Sequence, residues 1–301
     1  MPEQYKKPAL TFEQQLSHLQ NRGLVINDQA DALLKLSAIS YYRLSGYWFP
    51  FRLRDKNGQP ENHFIAGTGF DQVLELYEFD RHLRALVMDA IERVEVAVRT
   101  RITYHMGHTY GAFGHTVAAN FHPKFDHFNW LKKLEMEASR SPDQFVRHYK
   151  ERYNGFPTLP VWMLTEVMSF GALSFFYKGL KNPDKRAVAA YFNLHPKRLG
   201  DWLHTLTYVR NVCAHHSRLW NRELAIRPDK AKEPEWQPPV TPRNDRPFYI
   251  LLMLRYLLRQ SGNGDEWAVQ IDRLLTPITQ TNTYRLAMGI PEDWKDHPLW
   301  K

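Results

Sequence analysis

Cysteine is almost missing from this chain. Its 301 residues contain one, Cys213, which excludes an internal disulfide and fits a reducing compartment. Long apolar runs are missing as well. The two richest stretches, Val161–Tyr177 and Tyr249–Leu258, are interrupted by Glu166 and Arg255 and are too short to span a bilayer, so no membrane association is expected. The opening MPEQYKKPALTF has no apolar segment of the kind a secretory signal needs, which predicts a cytoplasmic protein. No internal repeat occurs, and no run of any length alternates with the period of a strand. Acidic residues are in deficit: 32 Asp and Glu stand against 40 Lys and Arg, for a net charge of +8 and a pI near 9.4, a balance that favours a polyanionic partner.

What is present is helical pattern, and the expected fold class is all-α. Thr11-Phe12-Glu13-Gln14 has the form of a capping box, followed by Leu16, Leu19 and Leu24 with Gly23 as a stop. A second helix is expected from Asp28 to Ser37. Between residues 40 and 54, six aromatics alternate with Arg43, Arg52 and Arg54. Such a stretch can stack bases and hold phosphates, or it can be a bulky plug that packs the N-terminal helices. Asp55–Gly69 reads as a loop or small hairpin. The longest periodic signal then runs from Phe70 to about Gly107, with Val73, Leu76, Leu83, Val87, Ile91, Val94, Val98 and Ile102 at three- and four-residue steps. On the same helix Glu92, Glu95 and Arg99 form a polar stripe. It could supply metal ligands or a base, form an ion pair, or orient catalytic groups from behind.

Five histidines between His105 and His127, without cysteines and with irregular gaps, make a poor zinc pattern, so no metal or other cofactor is expected. Two short helices are expected over 129–140 and 141–153. Another, capped by Thr158 with Pro160 in its first turn, should continue through Leu180, apolar nearly all round and slim at Ser169, Gly171, Ala172 and Ser174. It belongs in a core or against a second subunit. A short helix should start at His195-Pro196. Beyond Ile226, Pro228, Pro234, Pro238, Pro239, Pro242 and Pro247 predict an extended segment, and helices over 248–259 and 266–275 close the chain.

The stretch that carries chemistry is Tyr208–Arg222, YVRNVCAHHSRLWNR. Gly and Pro are absent between Asp201 and Arg227, which predicts one long helix with Asp201 as N-cap. At 100° per residue, with Arg210 at zero, Asn221, Arg218, Asn211, Arg222 and His215 fall at roughly 20° to 140°, while Leu219, Val212, His216, Val209, Trp220 and Cys213 fill roughly 180° to 300°. One face is core. The other gathers three arginines, two asparagines and a histidine with no acid among them, where a solvated face mixes both signs. On this wheel His216 is a core residue. The polar face reads as an anion site holding a titratable base, or as a set of buried hydrogen bonds that knits a bundle.

Within this stretch Arg210-Asn211-Val212-Cys213-Ala214-His215 resembles the R-x4-H motif, in its RN-x3-H form, of the HEPN superfamily of helical RNases. The wider sequence resembles the abortive-infection Abi family of the AbiD/AbiF type. The matching pieces are LTFEQQLSHLQNRGL, YYRLSGYW, FDRHLR with IERVEVAVRTRI, LPVWMLTEVMSFGALS and RNVCAHHSRLWNR, in order over roughly residues 10–228. The resemblance implies a HEPN-like helical bundle over 70–227. An N-terminal helical and aromatic segment (1–69) would pack on it, followed by a Pro-rich segment with C-terminal helices (228–301). It also implies a metal-independent endoribonuclease of phage defence, with a composite site in a homodimer. Arg210, Asn211 and His215 would be catalytic; Arg218, Asn221 and Arg222 would bind RNA; Glu92, Glu95 and Arg99 would stand behind them. The alternative is a non-catalytic RNA-binding or protein-interaction module of a defence or toxin–antitoxin system. A regulatory antitoxin or small RNA would suit either reading; RNA target and trigger stay open.

Overall fold

The computed structural model describes residues 4–230, 236, 242–262 and 264–300, and these are all-α apart from one small hairpin. The chain divides into two compact units, Met1–His82 and Leu83–Lys301.

The first unit begins with α1 (Phe12–Asn21). Its capping box forms as the sequence predicts: Thr11 Oγ1 accepts the Gln14 amide at 3.3 Å, and Gln14 Oε1 accepts the Thr11 amide at 2.9 Å. Gly23, at φ 89°, ends the helix by turning left-handed, where a side chain would be strained. Asp28 caps α2 (Gln29–Ile39), and Ser40 caps α3 (Tyr41–Trp48). The aromatic stretch is mainly a plug. Leu44, Tyr47 and Trp48 are buried, the Tyr47 hydroxyl donates to Asp80 at 2.7 Å, and Arg52 and Arg54 lie over Phe49. Tyr42 stays exposed. The loop region is the hairpin of β1 (Arg52–Arg54) and β2 (Pro60–Phe64), antiparallel with Arg52 opposite Phe64. The first turns of α4 (Phe70–Tyr110) complete this unit.

The remainder of α4 opens the second unit, with Val87, Ile91, Val94, Val98 and Ile102 all buried. α5 (His127–Arg140) and α6 (Gln144–Arg152) follow, capped or preceded by Asp126 and Asp143. The expected continuous helix through Leu180 is two helices, α7 (Val161–Val167) and α8 (Phe170–Gly179). Thr158 does not cap α7 but donates to Glu135 at 2.9 Å. The break has a polar cause that no Gly or Pro announces. Ser169 Oγ accepts the Ala172 amide and starts a new helix, while the Met168 carbonyl receives a hydrogen bond from Arg99. The core expectation also fails at Trp162 and Phe175, which are exposed.

α9 (Asn182–Tyr191) leads into α10 (Pro196–Ala214). His195-Pro196 does not begin a separate helix. It is the start of α10 itself, with the His195 imidazole accepting the Lys197 amide as N-cap. α11 (Pro247–Gln260) is buried on nearly every side, α12 (Asp265–Thr279) follows, and α13 (Asn282–Met288) is a helix the periodicity did not suggest. Of the prolines expected to extend the chain, Pro234, Pro238 and Pro239 lie outside the described residues. No helix among the described residues is long and apolar enough to cross a membrane.

Two histidines are sealed in the second unit, His115 at 1% exposure and His297 at none. Burial pulls each down to about 4 from the ordinary 6.5, and His127 adds to the effect at His115. Both folded values lie below the unfolded one, so the unfolded chain binds protons more readily. Their stabilising contribution is complete above about pH 6.5 and is lost as pH falls toward 4, by up to about 3 kcal/mol for each ring. Urea-unfolding free energy should therefore fall steeply between pH 6.5 and pH 4.5. A midpoint unchanged over that interval would mean the rings are not held neutral.

Candidate functional site

α10 carries the motif, and it is shorter at one end and longer at the other than the sequence predicts. It starts five residues before Asp201 and stops at Ala214, where a run to Arg227 was expected. Asp201 is not the N-cap; its Oδ2 accepts the Asp229 amide at 2.8 Å. The stop is a Schellman turn built without glycine. His216 adopts φ 55°, its amide bonds to the Cys213 carbonyl, and the Ser217 amide bonds to the Val212 carbonyl, each at 2.9 Å. Histidine tolerates the left-handed region better than most residues, but nothing in its type announces the turn. His216 is therefore exposed at the helix end and is not the core residue the wheel made it.

Beyond the turn the chain runs back along α10. The Ala225 amide reaches the Tyr208 hydroxyl at 3.4 Å and the Asp229 amide reaches Asp201. Arg218, Asn221 and Arg222 thus lie on a return segment and not on the helix face with Arg210. Arg222 Nε donates to the Arg218 carbonyl at 2.8 Å, and the Asn221 carbonyl accepts from Arg246 at 3.2 Å. Leu219 and Trp220 are buried as the wheel placed them, yet they reach the core from this segment.

The helical half of the motif stays together. Arg210 is half-buried and donates to Asn211 Oδ1 at 3.3 Å. The Asn211 carbonyl accepts the His215 amide at 3.0 Å, closing the last turn and leaving the His215 ring exposed as the C-cap. Val209, Val212 and Cys213 fix the opposite side in the core.

The polar face is not free of acid as the sequence suggests. Glu95, from α4, lies close enough to Arg210 for their charges to interact. Burial pushes the Glu95 carboxyl up from its ordinary value; Arg99 and Arg210 pull it back, and Glu92 adds to the rise. Arg99 Nη2 bonds to Glu95 at 2.7 Å and to the Met168 carbonyl at 3.3 Å, and its Nη1 reaches Glu166 at 3.4 Å. Glu92 itself is exposed. On the α4 stripe Glu95 and Arg99 form an ion pair, and the Glu95 charge is felt at the motif arginine. Among the described residues no three His, Cys, Asp or Glu side chains are grouped to hold a metal.

The face extends N-terminally beyond the motif, which the sequence reading missed. Lys197, His204 and Thr207 fall at roughly 60° to 140° on the same wheel as Asn211 and His215. With α8 and α9 they line a pocket of about 800 Å³ that also receives Lys178, Lys185 and Arg186. Carrying the wheel back to His195 would have found the α10 residues. Those of α8 and α9 had no local signal.

The left-handed turn at His216 makes a measurable demand. His216→Val should cost about 1–2 kcal/mol, because a β-branched residue is strained there, while His216→Gly should be neutral or slightly stabilising. Urea midpoints of the two variants check this; equal effects would mean the turn does not end α10.

No curated protein and no solved structure matches the chain. A family model described as Abi-like protein matches residues 34–221, which takes in α4, the ion-paired stripe, the pocket and the motif. That match covers more than half of the sequence, and the chain belongs to the Abi-like protein family.

Proposed function

We propose that this protein is an endoribonuclease of abortive infection, the phage defence to which its family points, and that Arg210, Asn211 and His215 form its RN-x3-H site. The AbiD/AbiF type and the HEPN relationship are part of the same proposal, as is action without a metal. The observation that carries it is the end of α10. An arginine tied to an asparagine stands one turn from an exposed imidazole, and the same helix face continues into a basic pocket.

The chemistry follows from those groups. His215 takes the proton of a ribose 2′-OH, and the 2′-oxygen attacks the adjacent phosphorus. Arg210, charged at all working pH values, stabilises the crowded phosphorane. The P–O5′ bond breaks, the 5′-oxygen takes a proton, and the products are a 2′,3′-cyclic phosphate and a 5′-hydroxyl. Asn211 holds the arginine in place. One chain offers one exposed motif histidine, so the acid that protonates the leaving oxygen comes from a symmetry mate in a homodimer.

A second reading, RNA binding without cleavage, is favoured by Glu95, which offsets part of the Arg210 charge where a phosphate would sit.

Cleavage decides between the two. Arg210→Ala and His215→Ala should each lower the rate on total RNA in EDTA by about 10²–10⁴ with an unchanged fold, since neither side chain is in the core. Wild-type protein that binds RNA and leaves it intact would establish the second reading. Mixing the two variant chains should restore one intact site per dimer; no regain of activity in a proven mixed dimer would defeat the composite site. RNA affinity should also fall with salt, at a log–log slope of roughly −3 for about four neutralised phosphates. A flat response would remove nucleic acid as the partner.

A further inference from the structure

The pocket beside the motif has a charge pattern that needs explaining. Lys178 at the end of α8 faces Lys185 and Arg186 on α9, and Lys197 approaches from the first turn of α10. Among the described residues, no carboxylate lies within ion-pair distance of Lys178, Lys185 or Arg186. Lys197 does pair with Asp229 at 3.2 Å, but both side chains are largely exposed and such pairs hold weakly. The only acid in the described lining is Asp201, which accepts the Asp229 amide and whose charge is felt at Lys197 and His204, on the α10 side of the pocket. Burial and the neighbouring Lys178 both lower the pKa of Lys185. Lys178, Lys185 and Arg186 are thus like charges with no carboxylate partner among the described residues, an arrangement that is unfavourable until an anion joins it.

The space is too large for a lone phosphate. At about 800 Å³ it falls in the range of sites that enclose whole cofactor-sized ligands. Two glycines let its walls approach: a Cβ at Gly171 would meet Thr207 at 3.3 Å, and one at Gly200 would meet Tyr177 at 3.4 Å. One wall carries Phe175, 45% exposed, while Phe170, Phe176 and Tyr177 of the same helix are buried. The Phe175 ring packs on Phe125 at 5.2 Å between centroids, and an exposed aromatic so backed beside basic side chains is what a nucleobase stacks on. At the α10 end, His195 Nδ1 accepts the Lys197 amide, so Nε2 carries the proton and is a donor.

We propose that this pocket binds a nucleotide unit, with its phosphate among Lys178, Lys185 and Arg186 and its base against Phe175. Thr207 lines the pocket one turn before Asn211 and two turns before His215, about 6 Å and 12 Å along the helix axis. A nucleotide held there is a flanking residue of the strand whose backbone reaches the motif. That placement rests on the endoribonuclease reading; the affinity for a nucleotide does not. A free nucleotide offers the same chemistry, and the experiment separates the two sources.

Full-length protein is titrated against a fluorescently labelled ten-nucleotide 2′-O-methyl RNA, which cannot be cleaved by 2′-OH attack, and against UMP and AMP by calorimetry. The variants are Lys178→Gln/Lys185→Gln and Phe175→Ala, each matched to wild type in melting temperature. For a strand nucleotide, the double variant weakens RNA binding at least about tenfold and flattens the log–log salt slope by about 1.4, while Phe175→Ala weakens it at least about fivefold. Cleavage by the double variant then shows a raised KM with kcat unchanged. Micromolar UMP or AMP binding that the double variant loses, with RNA affinity untouched, assigns the pocket to a free nucleotide. RNA and nucleotide affinities that both ignore the substitutions overturn the proposal. Because the readout is binding, a wild type that never cleaves RNA defeats the nuclease reading alone, and an active enzyme with an indifferent pocket defeats this one alone.

Discussion

Burial of one side of α10 is the constraint on which the rest of the candidate site depends. Leu199, Trp202, Leu203, Leu206, Val209, Val212 and Cys213 are sunk in the core along the whole helix. A fully buried Leu or Val contributes roughly 1.5–3 kcal/mol, so the helix cannot rotate without losing several such terms at once. The opposite face is thereby held outward in one register, from Lys197 to His215. No polar contact is needed to aim His204, Asn211 or His215, because the packing behind them already does so. An exposed imidazole at the end of a rigid helix can be placed accurately and still meet solvent or a partner.

Arginine and lysine are treated differently around this face. Arg99 bonds through its two Nη atoms to Glu95, Glu166 and the Met168 carbonyl, and so joins α4 to the α7–α8 break. The same carboxylate reaches Arg210 electrostatically, which lets the motif arginine sit half-buried without being a lone charge. Of the pocket lysines, Lys197 meets Asp229 in an exposed pair, while Lys178 and Lys185 have no carboxylate partner among the described residues.

Termination of α10 shows how a site can hide from a helical wheel. The wheel assumes that helical geometry continues, and nothing between Asp201 and Arg227 contradicts it locally. His216 in the left-handed region ends it, and the residues beyond are no longer on the helix. Arg218, Asn221 and Arg222 leave the motif face for that reason, while Leu219 and Trp220 still find the core because apolar side chains bury wherever the backbone brings them. The break at Met168-Ser169 has the same character. A serine cap and one carbonyl turned toward Arg99 outweigh an uninterrupted apolar pattern.

By itself the sequence determined what depends on residues within a few turns of one another. The all-α class, the capping box at Thr11, the long α4 and the grouping of Arg210, Asn211 and His215 on one face are of this kind, since caps and 3.6-residue periodicity act over short separations. Only the tertiary structure decided where helices stop without Gly or Pro, that Glu95 stands beside Arg210, and that lysines from α8 and α9 meet the His204 face of α10. Those outcomes come from competition between local propensity and contacts made by residues distant in the chain. No window of sequence contains both sides of that competition.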